Sequence, residues 1–129
     1  MIKVKDRVSR SLHTLSTGTS ALDTARFFLE HKIGSVFIRQ DDDIVGIITE
    51  SDLVRKVMAL NKPSADVIVD SVMTKSLISV DIEESLTKAG DTMDHNHIRH
   101  LGVTEGGKIV GVISVRDLIH PIYTDGEGW

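Results

Sequence analysis

Residues 44–53 read Ile-Val-Gly-Ile-Ile-Thr-Glu-Ser-Asp-Leu, and residues 109–118 read Ile-Val-Gly-Val-Ile-Ser-Val-Arg-Asp-Leu. In both stretches an apolar, β-branched run ends at a hydroxyl residue, and an aspartate follows three positions later. This pattern predicts a strand that delivers a hydroxyl and a carboxylate to the start of a helix. Since Gly111 minus Gly46 gives an offset of 65, the sequence contains one unit twice.

The offset of 65 extends well beyond these two stretches. Four further identical pairs share it without a gap: Ser11 and Ser76, Leu12 and Leu77, Ser20 and Ser85, Ile33 and Ile98. We therefore divide the chain into repeat 1, residues 1–65, and repeat 2, residues 66–129. Two copies are too few for a solenoid, which needs three or more units. We expect two halves that pack around a pseudo-twofold axis and share one core.

Composition bounds the class of protein. The chain has 129 residues, of which 40% are hydrophobic and 26% charged, as in a compact soluble domain. Its formal net charge of -4 argues against nucleic acid as the main partner, because phosphate binding needs clustered cations. The sequence has no cysteine, no apolar N-terminal segment and no apolar run long enough for a membrane span. We expect a soluble cytoplasmic protein that does not associate with a membrane.

Each repeat has the predicted element order β-α-β-β-α, which gives an α/β (α+β) fold. In repeat 1 we expect a helix over residues 20–31, hairpin strands over 35–39 and 44–49, and a helix over 50–60. Helical spacing predicts that the first helix buries Leu22, Ala25 and Leu29. The same spacing predicts that the second helix buries Leu53, Val54, Val57 and Met58. Residues 61–64 form the expected linker between repeats, and Tyr123–Trp129 is an expected loose tail.

The pairs Thr49-x-x-Asp52 and Ser114-x-x-Asp117 fit two interpretations. A hydroxyl followed three residues later by an acid is a helix-capping pattern, and that role alone accounts for each pair. Alternatively, each carboxylate accepts hydrogen bonds from the vicinal hydroxyls of a ribose, with the hydroxyl residue assisting. A cap needs no open groove beside it, whereas a ribose site does.

The duplicated β-α-β-β-α order, with Gly-Ile-Ile-Thr-Glu-Ser-Asp-Leu and Gly-Val-Ile-Ser-Val-Arg-Asp-Leu closing the hairpins, resembles a pair of cystathionine-β-synthase (CBS) domains, the Bateman module. Residues 97–103, His-Ile-Arg-His-Leu-Gly-Val, resemble the segment that enters the family's middle strand. Residues 71–74, Ser-Val-Met-Thr, resemble the family's opening segment. The resemblance covers nearly the whole chain.

This resemblance implies a non-catalytic regulatory module that binds AMP, ADP, ATP or S-adenosylmethionine in two clefts between the repeats. It also implies a homodimer that signals ligand occupancy to a partner, such as a regulated enzyme or transporter. The implied residues of the stronger cleft are Asp117 on the ribose, Ser114 on ribose or phosphate, Arg99 and His100 on the phosphate, and Val8, His13 and Ile33 around the base. The implied residues of the weaker cleft are Asp52, Thr49, Met73, Ile78 and Ile98.

The two clefts are expected to be unequal. Repeat 2 has Arg99-His100 where repeat 1 has Gly34-Ser35. An arginine can hold a phosphate through two parallel charge-assisted hydrogen bonds, and glycine cannot replace it. We therefore expect the Asp117 cleft to bind a nucleotide more tightly than the Asp52 cleft.

Four alternatives stand beside this interpretation: a transition-metal site, a calcium loop, an enzyme and a structural module. Alternate histidines occur in residues 94–100, Asp-His-Asn-His-Ile-Arg-His, and imidazole ligands suit zinc, copper or nickel. A solvated helix end, or a phosphate contact by His100, explains these histidines without a metal. The acidic run Asp41–Asp43 lacks the spacing of a calcium loop and is expected to be a hairpin turn. No catalytic set of nucleophile, acid and base stands out. The rival function is a structural dimerisation module in which both hydroxyl–aspartate pairs act only as caps.

Overall fold

The structure, a computed structural model, describes residues 1–119. Its strands are β1 (Thr14–Ser16), β2 (Ser35–Gln40), β3 (Asp43–Thr49), β4 (Ser79–Asp81), β5 (His100–Glu105) and β6 (Lys108–Ser114). Its α-helices are α1 (Ala21–His31), α2 (Glu50–Leu53), α3 (Leu86–Asn96) and α4 (Val115–Ile119). Short 3-10 turns cover Val4–Asp6 and Val69–Ser71. The expected loose tail, Tyr123–Trp129, lies outside the described residues.

The strands form two three-stranded sheets of the same design, in the orders β1-β2-β3 and β4-β5-β6. In each sheet the first strand is parallel to the second, and the second and third form an antiparallel hairpin. Ser35 pairs with Thr49 in one hairpin, and His100 pairs with Ser114 in the other, which preserves the offset of 65. The predicted hairpins and the predicted α+β class are confirmed.

Helices α1 and α3 begin and end at equivalent positions. The hydroxyls of Ser20 and Ser85 accept hydrogen bonds from the amides three residues later and cap the two helices. The helices end at Lys32 and His97, which adopt left-handed conformations with φ of 55° and 54°. The predicted helix over residues 20–31 is confirmed.

The predicted buried face of α1 is wrong. Leu29 is 81% exposed, Ala25 is also exposed and Leu22 is half-buried, whereas Ala21, Thr24 and Phe28 are buried. Helical spacing fits both the predicted face and the face one residue earlier, and the packing of Ala21 and Phe28 in the buried cluster decides between them. Thr24 tolerates burial because its hydroxyl donates to the carbonyl of Ser20, so the polar group is satisfied within the helix.

The second helix of repeat 1 changes geometry after its first turn. Helix α2 continues as a π-helix over Val54–Met58. The wider π turn shifts the phase of the following side chains. Val57 is buried as expected, but Val54 is 52% exposed and Met58 is 75% exposed, so the prediction that these two face inward is wrong.

The opening segments of the two repeats, residues 1–12 and 66–76, are exchanged. One compact unit contains Met1–Leu12 and the described residues from Leu77 onward, and the other contains His13–Ser76. In the first unit Ser9 bridges to Val112 of β6, and in the second Thr74 bridges to Ile47 of β3. The compact units therefore differ from the sequence repeats 1–65 and 66–129. We call them the Asp117 unit and the Asp52 unit.

Each unit has its own buried apolar cluster. Val4 and Val8 of the opening segment join the cluster of the Asp117 unit, and Val69 and Val72 join that of the Asp52 unit. The prediction of a single shared core is therefore wrong. The physical reason is the exchange, since each hairpin completes its core with the opening segment of the other repeat.

Candidate functional site

In the Asp117 unit, strand β6 ends at Ser114 and helix α4 begins at the next residue, Val115. Oδ2 of Asp117 accepts hydrogen bonds from the Ser114 amide at 2.9 Å and from the Ser114 hydroxyl at 3.1 Å. Ser114 is buried and Asp117 is half-buried. The hydroxyl and the carboxylate predicted from the sequence therefore meet at the end of the strand.

Arg99 and His100 lie beside this pair. His100 faces Ser114 across the β5–β6 ladder, and the carbonyl of Arg99 accepts a hydrogen bond from the amide of Val115 at 3.0 Å. Arg99 is exposed, and His100 is half-buried. The backbone thus positions a guanidinium-bearing residue next to the Ser114–Asp117 turn.

The Asp52 unit repeats this backbone arrangement without the cation. Ser35 faces Thr49 across the β2–β3 ladder, and the carbonyl of Gly34 accepts from the amide of Glu50 at 3.0 Å. Gly34-Ser35 is thus the structural equivalent of Arg99-His100, which confirms the alignment behind the predicted asymmetry.

The opening segment lies against β6 in the Asp117 unit. Ser9 and Val112 exchange two backbone hydrogen bonds, at 3.1 and 3.2 Å. The close approach depends on Gly111, because a Cβ there would lie 2.2 Å from the carbonyl oxygen of Ser9 and 3.0 Å from the side chain of Val8. Val8, a predicted base-lining residue, is 7% exposed in this segment.

Sequence reasoning missed Arg7. Its Nη1 donates to the main-chain carbonyl oxygen of Asp117 at 3.2 Å and joins the opening segment to α4. No motif singled it out. The only indication was its position, one residue before the predicted site residue Val8.

Asp52 has the same cap and an additional partner. Its Oδ2 accepts from the Thr49 amide at 2.9 Å and from the Thr49 hydroxyl at 3.3 Å. Its Oδ1 lies 2.9 Å from Nζ of Lys56, which also donates to the carbonyl of Val72 at 2.9 Å. Both oxygens of the Asp52 carboxylate therefore have partners within the unit.

The Asp117 carboxylate is held differently. The hydrogen bonds that residues 1–119 give to it both end on Oδ2. At the offset of 65, the counterpart of Lys56 is position 121, which is a proline and carries no side-chain donor. Oδ1 of Asp52 is paired with the Lys56 ammonium, whereas Oδ1 of Asp117 has no such ammonium partner among residues 1–119.

Burial raises the pKa of Asp117 above the ordinary aspartate value of 3.8. The hydrogen bonds from Ser114 and the positive charges of Arg116 and Arg7 act in the opposite direction and offset only part of this effect. A desolvated carboxylate gains more from a hydroxyl donor than a solvated one does. Asp117 is thus suited to accept hydrogen bonds from a ligand.

The raised pKa of Asp117 predicts an unusual stability effect. Since the folded pKa is raised, ionisation destabilises the fold above that pKa, and the penalty disappears as the pH falls below the unfolded value. We expect Asp117→Asn, which keeps an acceptor for Ser114, to match or exceed the wild-type melting temperature at pH 7. The gain should shrink towards pH 3.

The matched variant Asp52→Asn should behave in the opposite way. It loses the ion pair with Lys56, and we expect it to lower the free energy of unfolding by about 1.5 kcal/mol, the size of a charge-assisted contact to a carboxylate that is only 12% exposed. Thermal melts of both variants at pH 7 and pH 3 test this contrast. A clear loss of stability in Asp117→Asn at pH 7 would contradict it.

The other predicted site residues are divided between the units. Met73 lies in the Asp52 unit beside Gly46, where a Cβ would come within 2.6 Å of the Met73 sulfur. His13 and Ile33 belong to the Asp52 unit, and Ile78 and Ile98 belong to the Asp117 unit. The roles of these four residues around the base stay predictions.

His13 belongs to a small ring cluster. Its ring centroid lies 5.9 Å from that of Phe27 and 5.3 Å from that of His31. Burial, followed by the charge of His31, lowers the pKa of His13. His13 is thus disposed to be a neutral imidazole near pH 7.

Two other classes of function were tested on the described residues. Among residues 1–119, no group of three or more His, Cys, Asp or Glu is placed to hold a metal ion, so the alternative metal interpretation of residues 94–100 finds no ligand set there. No helix in the same range combines the length and the apolar character that crossing a membrane requires.

Comparisons with known proteins agree with the fold. A protein of Methanopyrus kandleri without a characterised function is 32% identical over 120 residues, which cover 92% of this chain and 61% of that protein. The crystal structure of a conserved protein from Pyrococcus horikoshii has a TM-score of 0.87 at 28% identity and covers 95% of this chain and 96% of that one.

A third similar structure was solved with ligands. It is the CBS domain pair of protein MJ0100 in complex with 5′-methylthioadenosine and S-adenosyl-L-methionine. It has a TM-score of 0.81 at 25% identity and covers 92% of this chain and 93% of that one. The family model of the CBS domain matches residues 4–59 and again residues 69–123. The chain therefore belongs to the CBS domain family and carries two CBS domains in tandem.

Proposed function

We propose that this chain is a non-catalytic regulatory module that binds an adenosine-containing ligand at Asp117. The observation that carries the proposal is the Asp117 carboxylate, which is half-buried and receives both of its hydrogen bonds from residues 1–119 on one oxygen. The complex of the similar CBS pair with two adenosine compounds supports this class of ligand.

A ribose fits the chemistry of this position. Its two vicinal hydroxyls are donors that a single carboxylate can accept, and the hydroxyl of Ser114 lies 3.1 Å from the same carboxylate. A hydrogen bond to a charged group contributes about 1.5–3 kcal/mol, more than a neutral pair. Asp117 therefore binds the sugar, and Ser114 orients the carboxylate.

The charge next to the turn favours a phosphate on the ligand. Arg99 is exposed, and its backbone is fixed by the hydrogen bond to Val115. Its guanidinium can bind a phosphate through two parallel hydrogen bonds. With His100 it forms the phosphate end of the site, and Val8 of the same unit is proposed to contact the base. We therefore rank AMP, ADP and ATP above S-adenosylmethionine.

The counterpart position is the weaker one. Asp52 and Thr49 have the same capping geometry, but Gly34-Ser35 supplies no cation. Met73 of the same unit would contact a base there. We therefore expect this position to bind an adenosine ligand only weakly or to stay empty, without help from a phosphate.

Calorimetric titration of the nucleotide-stripped chain tests the proposal. The ligands are AMP, ADP, ATP and S-adenosylmethionine, with GMP as the control for base selectivity. We expect saturable binding that discriminates against GMP. The rival hypothesis, a structural dimerisation module, predicts no heat with any of the five ligands and no change in melting temperature.

Arg99→Ala provides a specific prediction about the phosphate. We expect the variant to bind AMP about tenfold or more weakly than the wild type does, because one charge-assisted contact is lost. Adenosine has no phosphate, so its affinity should remain within about twofold. Parallel titrations with AMP and adenosine measure this difference. Equal losses for both ligands would show that Arg99 does not contact a phosphate.

The signal is proposed to pass through a homodimer to a regulated enzyme or transporter. Leu29, Met58 and Leu60 are large apolar side chains with 81%, 75% and 59% exposure in the Asp52 unit. Exposed apolar side chains of this kind suit a second copy of the chain. For ligand binding to produce a signal, the ligand must favour one arrangement of the chains over another.

A further inference from the structure

We propose that Lys56 is a built-in cation that occupies the Asp52 carboxylate and excludes a ribose from it, so that the chain binds one adenosine ligand instead of two. The inference rests on the proposed function and identifies the residue that makes the two positions unequal. It is separate from the missing phosphate contacts at Gly34-Ser35, because it concerns the sugar.

The geometry of Lys56 carries the argument. Its Nζ lies 2.9 Å from Oδ1 of Asp52 and 2.9 Å from the carbonyl oxygen of Val72. The side chain of Asp52 is only 12% exposed, so the contact is largely shielded on the carboxylate side. Thr49 holds the other carboxylate oxygen from the strand end. A ribose at Asp52 would have to displace a charge-assisted contact before making its own.

The Asp117 unit makes the same structural link from the opposite side. Arg7 of the opening segment donates to the carbonyl of Asp117 on α4, and at the offset of 65 its counterpart is Val72. In the Asp52 unit the cation comes from the helix, and the carbonyl acceptor belongs to the opening segment. Among residues 1–119, each unit thus has a cation that joins its helix to its opening segment.

Which of the two segments supplies the cation determines whether the aspartate carboxylate is also paired. In the Asp117 unit, Arg7 on the opening segment binds only a main-chain oxygen of the helix among the contacts described. In the Asp52 unit, Lys56 on the helix contacts both the opening segment and Asp52, which lies four residues before it. Position 121, the counterpart of Lys56, is a proline. Lys56 thus links the unit and at the same time occupies its potential ribose acceptor.

The test compares Lys56→Met with the matched control Arg55→Met, which removes an adjacent exposed cation and changes the net charge equally. Lys56→Gln is a second variant that keeps a donor for the Val72 carbonyl without the charge. The isotopically labelled chain of 129 residues is titrated with adenosine, which needs no phosphate contact. The amides of Thr49 and Asp52 report on one position, and those of Ser114 and Asp117 report on the other.

We expect adenosine to shift the Thr49 and Asp52 amides saturably in Lys56→Met and Lys56→Gln, with an affinity at least about tenfold higher than in the wild type or Arg55→Met. Adding Asp52→Ala to Lys56→Met should abolish these shifts. The Ser114 and Asp117 amides should respond alike in all the chains that retain Asp117.

The outcomes separate the two proposals. If Ser114 and Asp117 respond but Thr49 and Asp52 stay unshifted in both Lys56 variants, the inference about Lys56 is wrong and the proposed function stands. If Thr49 and Asp52 respond equally in the wild type, the inference is also wrong. If no amide responds in any folded variant, both proposals fail.

Discussion

Asp117→Ala is expected to weaken binding of an adenosine ligand by about 100-fold or more, while Asp52→Ala leaves the affinity within about twofold. The carboxylate of Asp117 is proposed to accept two ribose hydroxyls, and each hydrogen bond to a charged group contributes about 1.5–3 kcal/mol. Asp52 is already paired with Lys56 at 2.9 Å and is not proposed to contact this ligand. Replacing Asp52 by alanine should therefore leave the affinity at the Asp117 position unchanged.

Calorimetry on both alanine variants, with the ligand that binds the wild type most tightly, measures this contrast. Circular dichroism provides the control that each variant is folded. Since Asp117 also caps the turn after β6 through Ser114, Asp117→Asn is titrated in parallel, because it keeps an acceptor for the cap but loses the charge. Unchanged affinity in folded Asp117→Ala would refute the assignment of the ribose to this residue.

Gly111→Ala is expected to reduce the free energy of unfolding by about 3 kcal/mol or more. A Cβ at this position would lie 2.2 Å from the carbonyl oxygen of Ser9, and a backbone atom cannot move aside as a side chain can. Overpacking costs about 1–3 kcal/mol, and the two Ser9–Val112 hydrogen bonds contribute about 1 kcal/mol each. The opening segment should therefore separate from β6.

Gly46→Ala is the matched control, at the same position in repeat 1. There the new Cβ would meet the sulfur of Met73 at 2.6 Å and the Thr74 carbonyl oxygen at 3.1 Å. Methionine is flexible and can move, so we expect a loss of only about 1 kcal/mol. Urea unfolding of both variants measures the difference. A Gly111→Ala loss no larger than that of Gly46→Ala would contradict the described packing of the opening segment.

The element types and the site motifs followed from the sequence because they depend on local patterns. The hydroxyl–aspartate pairs at Thr49 and Ser114 form the predicted turns, and the serine caps start α1 and α3 as expected. The 65-residue offset also identified Gly34-Ser35 as the equivalent of Arg99-His100, and the strand pairing confirms this equivalence. Repetition made each weak pattern informative, since an interpretation had to fit both copies.

Features that depend on helix phase or on distant contacts did not follow from the sequence. The packing of Ala21 and Phe28 in the buried cluster determines which face of α1 is buried, and Thr24 on that face satisfies its hydroxyl within the helix, so Leu29 is exposed despite its hydrophobicity. The π-helix that exposes Met58 has no recognisable sequence pattern. The exchange of opening segments pairs residues as distant as Ser9 and Val112, and helical spacing carries no information about it.

The pairing of Lys56 with Asp52 was visible in the sequence as an i,i+4 spacing, but its significance was not. Such pairs are common on exposed helix faces and usually contribute little. The second contact of Lys56, to the carbonyl of Val72, shows that this ammonium is fixed at the carboxylate. Only the structure brings these groups together.

A crystal structure of the chain grown with the ligand that binds most tightly tests the central claim most directly. We predict one ligand per chain, with its ribose hydroxyls in hydrogen-bonding distance of the Asp117 carboxylate and with Lys56 still on Asp52. A ligand bound at Asp52 with Asp117 unoccupied, or one that contacts neither aspartate, would contradict the account.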